Sequence, residues 1–100
     1  MLSDLTDRLR ETYRDAPRVC DLAREVGVHP DHLTRVFKAH TGSLVGEFVR
    51  RLQIEGAARD LRDTDRTISS IAARQGFSDQ SHLTRWFRRH TGPTPARNRA

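Results

Sequence analysis

An all-α fold, about seven helices arranged as two similar units joined by a longer connecting helix, is predicted by three features of this 100-residue sequence. Apolar residues recur at three- and four-residue spacing along most of the chain, which is the spacing of one face of an α-helix. No run of four or more residues alternates convincingly between apolar and polar, so no strand is expected. An eleven-residue stretch also occurs twice: residues 32–42 read HLTRVFKAHTG and residues 82–92 read HLTRWFRRHTG, identical at 8 of 11 positions.

The repeat extends upstream. Leu22-Ala23 followed by Gly27-Val28 corresponds to Ile71-Ala72 followed by Gly76-Phe77. The offset is 49 residues before the turn and 50 after it, so the second copy carries one extra turn residue. Two copies are too few to cap a solenoid stack, so a pair of related units is the expectation.

Taken in order, residues 3–14 read as an amphipathic helix with Leu2, Leu5, Leu9 and Tyr13 on one side, ending before Pro17. In copy one, Val19, Leu22, Ala23 and Val26 keep helical spacing, and Gly27 stops the helix as a C-terminal glycine does. Pro30 suits the first turn of the next helix, whose buried stripe is Leu33, Val36 and Phe37 up to Gly42. Residues 44–63 form a connecting helix without proline. At about 100° per residue, Val45, Phe48, Val49 and Leu52 cluster on one face, and Ile54, Ala57, Ala58 and Leu61 on nearly the opposite one. The first half is therefore expected to pack on copy one and the second on copy two. In copy two, Thr67 can cap a helix that packs Ile68, Ile71 and Ala72, and Gly76 turns. Ser78 or Asp79 caps the following helix, with Leu83, Trp86 and Phe87 inward and Gly92-Pro93 at its end. Residues 95–99 read as a final short turn.

Two short helices joined by a glycine-containing turn make a helix-turn-helix. The expected organisation is one domain over residues 1–100. It comprises a first helix-turn-helix subdomain at 1–43, the connecting helix at 44–63 and a second subdomain at 64–100.

Composition limits what such a chain can do. One hundred residues bury a small core, not a deep catalytic cavity, and no nucleophile–base pairing, phosphate loop or carboxylate pair is visible, so no enzyme is expected. The single cysteine, Cys20, cannot form an intrachain disulfide, which fits a reducing compartment. Cys20, His29 and His32 lack the paired ligand spacing of a zinc site, and neither a metal nor any other cofactor is expected. No apolar run approaches a membrane span, so no membrane partner is expected, and a cytoplasmic, nucleoid-associated location is the reading. Charge is strongly divided. Residues 1–65 carry eleven Arg/Lys against twelve Asp/Glu, whereas residues 66–100 carry seven arginines against Asp79 alone. Positive charge gathered in one part of a chain favours a polyanion.

With Leu33 and Phe37 inward, the helical wheel turns Asp31, Thr34, Arg35 and Lys38 outward; the counterparts are Ser81, Thr84, Arg85 and Arg88, with His32 and His82 flanking. Arginine bidentate to guanine is the commonest specific major-groove contact, and a threonine methyl can meet a thymine methyl. Lys38, Arg88 and Arg89, one turn further on, suit phosphates, and Gln80 can reach adenine or a phosphate from the helix N-terminus. Double-stranded DNA is the expected partner. A connecting helix of about 20 residues is about 30 Å long, close to one turn of B-DNA, so two recognition helices are expected to read successive major grooves. Asp31 precedes Arg35 by one turn in the favourable order for a helical ion pair and is expected to orient it. His40 and His90 fall on the inner side of the wheel and suit hydrogen bonds to backbone carbonyls. The competing expectation is a helix-turn-helix scaffold used as a protein-interaction module, without specific DNA readout. The outward Thr-Arg pair in both copies argues against it.

This pattern resembles the arabinose-operon-regulator (AraC-type) family of transcription factors over essentially the whole chain. The matching residues are Leu22-Ala23 with Gly27, then Leu33-Thr34-Arg35-Val36-Phe37, and in the second half Ile68, Ile71-Ala72, Gly76-Phe77, Ser81, Leu83, Arg85, Phe87, Gly92, Thr94-Pro95 and Arg99. The resemblance implies two helix-turn-helix subdomains joined by a long helix, binding of asymmetric DNA sites, and regulation of transcription. It places Asp31, Thr34 and Arg35 on the first recognition helix and Gln80, Ser81, His82, Thr84 and Arg85 on the second. It admits RNA polymerase as a further partner, and an effector-binding or dimerisation domain outside this chain. Asn98, where the family usually has an aromatic residue, and Asp31, acidic on a DNA-facing surface, depart from the pattern.

Overall fold

The computed structural model describes residues 2–99. Among them are seven α-helices and one 3-10 turn, with no strand, as the sequence predicts: α1 Leu2–Thr12, the 3-10 turn Tyr13–Asp15, α2 Val19–Val26, α3 Pro30–Thr41, α4 Val45–Asp63, α5 Ile68–Arg74, α6 Gln80–Thr91 and α7 Pro95–Arg99. The chain divides into two compact units, Met1–Arg50 and Arg51–Ala100, and the division falls within α4. No helix among the described residues is long and apolar enough to cross a membrane.

In the first unit, α1 buries Leu5 and Leu9 and hands over to the 3-10 turn, which buries Tyr13. Pro17 disfavours a helical residue before it, and Ala16 there takes φ +50°. The core is completed by Leu22 and Ala23 of α2, Leu33 and Phe37 of α3, and Val45, Phe48 and Val49 of α4. Phe37 meets Phe48 edge-on, with ring centroids 5.4 Å apart, the arrangement that aromatic quadrupoles favour. An ion pair of 2.7 Å between Arg8 and Glu25 ties α1 to α2 on the outside.

The second unit gathers Ile54, Ala57 and Leu61 of α4 with Ile71, Ala72, Phe77, Leu83 and Phe87 in one apolar cluster. The change of face along α4 is thus real: its early apolar residues Phe48 and its later ones Ile54, Ala57 and Leu61 enter different cores. Trp86 lies against this cluster only partly buried, and Val36, its counterpart, is also partly exposed. The buried stripes of α3 and α6 are therefore narrower than the sequence suggests, carried by Leu33 with Phe37 and Leu83 with Phe87.

Polar groups are also buried in the second unit, and the hydrophobic pattern gives no hint of them. The Gln75 Nε2 donates to the Asp60 carboxylate at 2.7 Å, and Arg74 Nε lies 3.4 Å from the same oxygen. Gln53 Nε2 donates to the Gly76 carbonyl at 3.4 Å. Such groups are tolerated inside because each finds a partner. Arg99, from α7, closes the unit. Its guanidinium donates to the carbonyls of Leu61 at 3.1 Å, Thr64 at 3.0 Å and Asp60 at 3.4 Å, and to that of Arg66. The Leu61 carbonyl lies in the last turn of α4, where carbonyls lack a helical partner, and a positive charge suits that end of a helix. The last turn is thus anchored by Arg99, while Asn98 is exposed.

Candidate nucleic-acid interface

Both copies of the repeat build helix, turn and helix with matching turn bonds. Val28 N–H donates to the Ala23 carbonyl at 3.0 Å in copy one, and Phe77 N–H to the Ala72 carbonyl at 2.9 Å in copy two. Gly27 and Gly76 take φ +77° and +92°, a region that side chains other than glycine's rarely tolerate. This six-to-one closure satisfies a terminal helix carbonyl and reverses the chain. The copies diverge just after it. In copy one, His29 caps α3, its Nδ1 accepting from Asp31 N–H at 3.1 Å, and Pro30 takes the first helical position. In copy two, Asp79 caps α6, its carboxylate accepting from His82 N–H at 2.8 Å. The sequence foresaw Pro30 and offered Asp79 as one of two caps; the cap role of His29 went unread, because imidazole is not among the preferred capping groups.

On α3, Asp31, His32, Arg35 and Lys38 are exposed and Thr34 is half-buried at the edge of the core. On α6, Gln80, Ser81, Arg85, Arg88 and Arg89 are exposed, with Thr84 and His82 half-buried. One open groove along α6 is lined by Gln80, Ser81, Thr84, Arg85 and Arg88. These five form a continuous strip of amide, hydroxyl and guanidinium groups, able to donate to base acceptors and phosphates alike. Two other candidates on the same helix do not line it. The Arg89 guanidinium lies over the Trp86 ring, 5.0 Å from its centroid. The His82 ring packs edge-on against Phe77, with centroids 5.3 Å apart.

Two expectations change in detail. Among the described residues no ion pair joins Asp31 to Arg35; the Asp31 carboxylate instead lies 3.8 Å from His29 Nδ1. That cap holds the backbone N–H of Asp31 and not its carboxylate, and an exposed carboxylate–arginine pair is worth only a few tenths of a kcal/mol. His40 and His90 are exposed rather than inward, since they lie at the margin of a narrow stripe. His90 Nδ1 nonetheless bonds to the Trp86 carbonyl at 3.0 Å, the expected type of contact. Among the described residues no cluster of three His, Cys, Asp or Glu could hold a metal ion.

Residues 22–100 match the protein family described as a helix-turn-helix domain. The probable transcription factor PqrA of Proteus vulgaris is 38% identical over 82 residues, covering 82% of this chain and 67% of that protein. The right origin-binding protein of Escherichia coli (strain K12) is 36% identical over 87 residues, or 86% of this chain, but this chain spans only 30% of its length. Among solved structures, the DNA-binding domain of the global transcriptional factor AdpA, in complex with a target DNA, superposes with a TM-score of 0.92 at 26% identity, over 98% of this chain and 88% of that one. A transcriptional regulator of Chromobacterium violaceum, described as AraC-type, gives 0.88 at 26% identity, again over 98% and 88%. With its duplicated helix-turn-helix and these likenesses, the chain belongs to the arabinose-operon-regulator (AraC-type) family of helix-turn-helix domains.

Proposed function

We propose that this chain is the DNA-reading part of a cytoplasmic transcription regulator and not an enzyme. It binds double-stranded DNA sequence-specifically, with α3 and α6 as recognition helices in successive major grooves. The observation that carries this reading is the matching set on both helices: half-buried Thr34 beside exposed Arg35 and Lys38 on α3, and half-buried Thr84 beside exposed Arg85 and Arg88 on α6. The AdpA domain, similar in fold and in sequence, is held in its crystal on a target DNA, and PqrA is named as a probable transcription factor.

Arg35 and Arg85 take guanine edges, Thr34 and Thr84 take thymine methyls or backbone oxygens, and Lys38 and Arg88 take phosphates. Gln80 and Ser81 extend the reading at the start of α6. His32 flanks the first reading surface, and Arg89 reaches a phosphate from the flank of α6. RNA polymerase, and an effector-binding or dimerisation domain outside residues 1–100, complete the proposed partners. Selection of bound sites from a random duplex pool tests the reading directly. Two unlike half-sites about one helical turn apart are expected. An unenriched pool would overturn it in favour of a scaffold that binds proteins.

A further inference from the structure

The repeated histidines His32 and His82 occupy equivalent positions, yet only the second is engaged in its turn. The difference follows from the residue by which the copies differ in length. After the shared glycine turn, copy one passes directly from Val28 to the capping residue His29, whereas copy two interposes Ser78 between Phe77 and the capping residue Asp79. An added turn residue adds a backbone N–H that no helix bond satisfies. In copy two His82 supplies the acceptor: Ser78 N–H donates to His82 Nδ1 at 3.1 Å, and Ser78 Oγ lies at the same distance from that nitrogen. The backbone of His82 is held in turn by Asp79, to which its own N–H donates at 2.8 Å. Its ring is backed by Phe77, which is buried in the core. Turn and helix are thus cross-tied in both directions, as in a capping box but with imidazole as the acceptor. His32, facing a turn one residue shorter, is exposed.

We propose that His82 is a positioning residue: by accepting the Ser78 N–H it fixes the longer turn of copy two, and with it the placement of Gln80 and Ser81 for base reading, rather than contacting DNA itself. This rests on the DNA-reading role of α6. Only an imidazole with a lone pair on Nδ1, carrying its proton on Nε2, can accept from a backbone N–H, so that tautomer is the one assigned.

The acceptor and the ring can be separated by substitution. Asparagine places Oδ1 where histidine has Nδ1, whereas phenylalanine keeps a ring against Phe77 and has no acceptor. The experiment measures binding of the whole chain to its selected site and to sites altered under the start of α6, together with amide hydrogen exchange at Ser78. H82F is expected to lose roughly 3- to 10-fold in discrimination at those base pairs, the worth of about one hydrogen bond, and to speed Ser78 exchange. Discrimination under α3 is expected to stay intact. H82N is expected to restore both readouts. If H82F unfolds, H82N alone decides: retained discrimination and a protected Ser78 amide support the proposal, and their loss overturns it. A wild-type chain with no preferred site would overturn the DNA-reading function and this role with it. A discriminating wild type beside an equally discriminating H82F would overturn only the role of His82.

Discussion

Removing the Arg99 side chain is expected to destabilise the second unit far more than an exposed arginine near a chain terminus ordinarily would. Three of its bonds, to Leu61, Thr64 and Arg66, are close, and the one to Asp60 is long at 3.4 Å. A hydrogen bond from a charged donor contributes about 1.5 kcal/mol at the low end, so three give roughly 4–5 kcal/mol. Immobilising an arginine side chain offsets up to about 2 kcal/mol of this, leaving about 2–3 kcal/mol. For a domain of this size each kcal/mol moves the melting temperature by about 4–8 °C, so Arg99→Ala should lower Tm by roughly 10 °C or more. Arg99→Lys keeps the charge at the end of α4 but lacks the fork that reaches several carbonyls at once, and should recover less than half of the loss. Thermal unfolding followed by circular dichroism, with urea titration as a second measure, provides the assay. An Arg99→Ala chain that melts within about 3 °C of wild type would refute the reasoning, as would full recovery by lysine.

Arg35→Ala and Arg85→Ala should each weaken the selected site by roughly 5- to 150-fold, the worth of a bidentate guanine contact, while hardly changing affinity for random duplex. Equal loss on both DNAs, in a gel-shift titration, would reassign that arginine to a phosphate. Asp31→Ser should raise affinity for random DNA, because a negative charge leaves the binding face. It should leave discrimination under α3 unchanged, since Asp31 is not paired with Arg35; altered discrimination in half-site titrations would contradict this. Gln75→Leu should cost about 1–3 kcal/mol by stripping a hydrogen bond from the buried Asp60 carboxylate. A double-mutant cycle with Asp60→Asn in urea should show the two changes to be coupled and not additive, and strict additivity would contradict this bond.

What could be read from the sequence is what local rules govern. The glycine turns, Pro30 at the start of α3, Thr67 and Asp79 as caps and the face change along α4 all depend on neighbours within a few residues, and each is found. What escaped depends on side chains meeting across longer separations or in unusual roles. Arg99 reaches back 38 residues to Leu61, and no spacing rule foresees that. Asp60 and Gln75 are buried although polar, because they satisfy each other, which a hydropathy pattern cannot register. The outward residues of α3 and α6 were legible because a wheel anchored on one leucine and one phenylalanine fixes orientation. Its margins were not, as His40, His90, Val36 and Trp86 illustrate.

The ends of α3 and α6 bear on what resemblance to this chain can convey. Thr41 Oγ1 donates to the Phe37 carbonyl at 2.8 Å, and Thr91 Oγ1 to that of Phe87 at the same distance. Gly42 and Gly92 then close each helix on the Lys38 and Arg88 carbonyls. Of the eight letters the copies share, four (the leucine, the phenylalanine, the final threonine and its glycine) therefore serve packing and termination. The bases selected depend on a handful of surface letters, several of which differ even between the two halves of this one molecule. Likeness across such a motif is inherited architecture, and two proteins can match well in it while answering to unrelated promoters. Assigning regulated genes calls for comparing the outward positions alone, with the stop signals and core letters left out of the score.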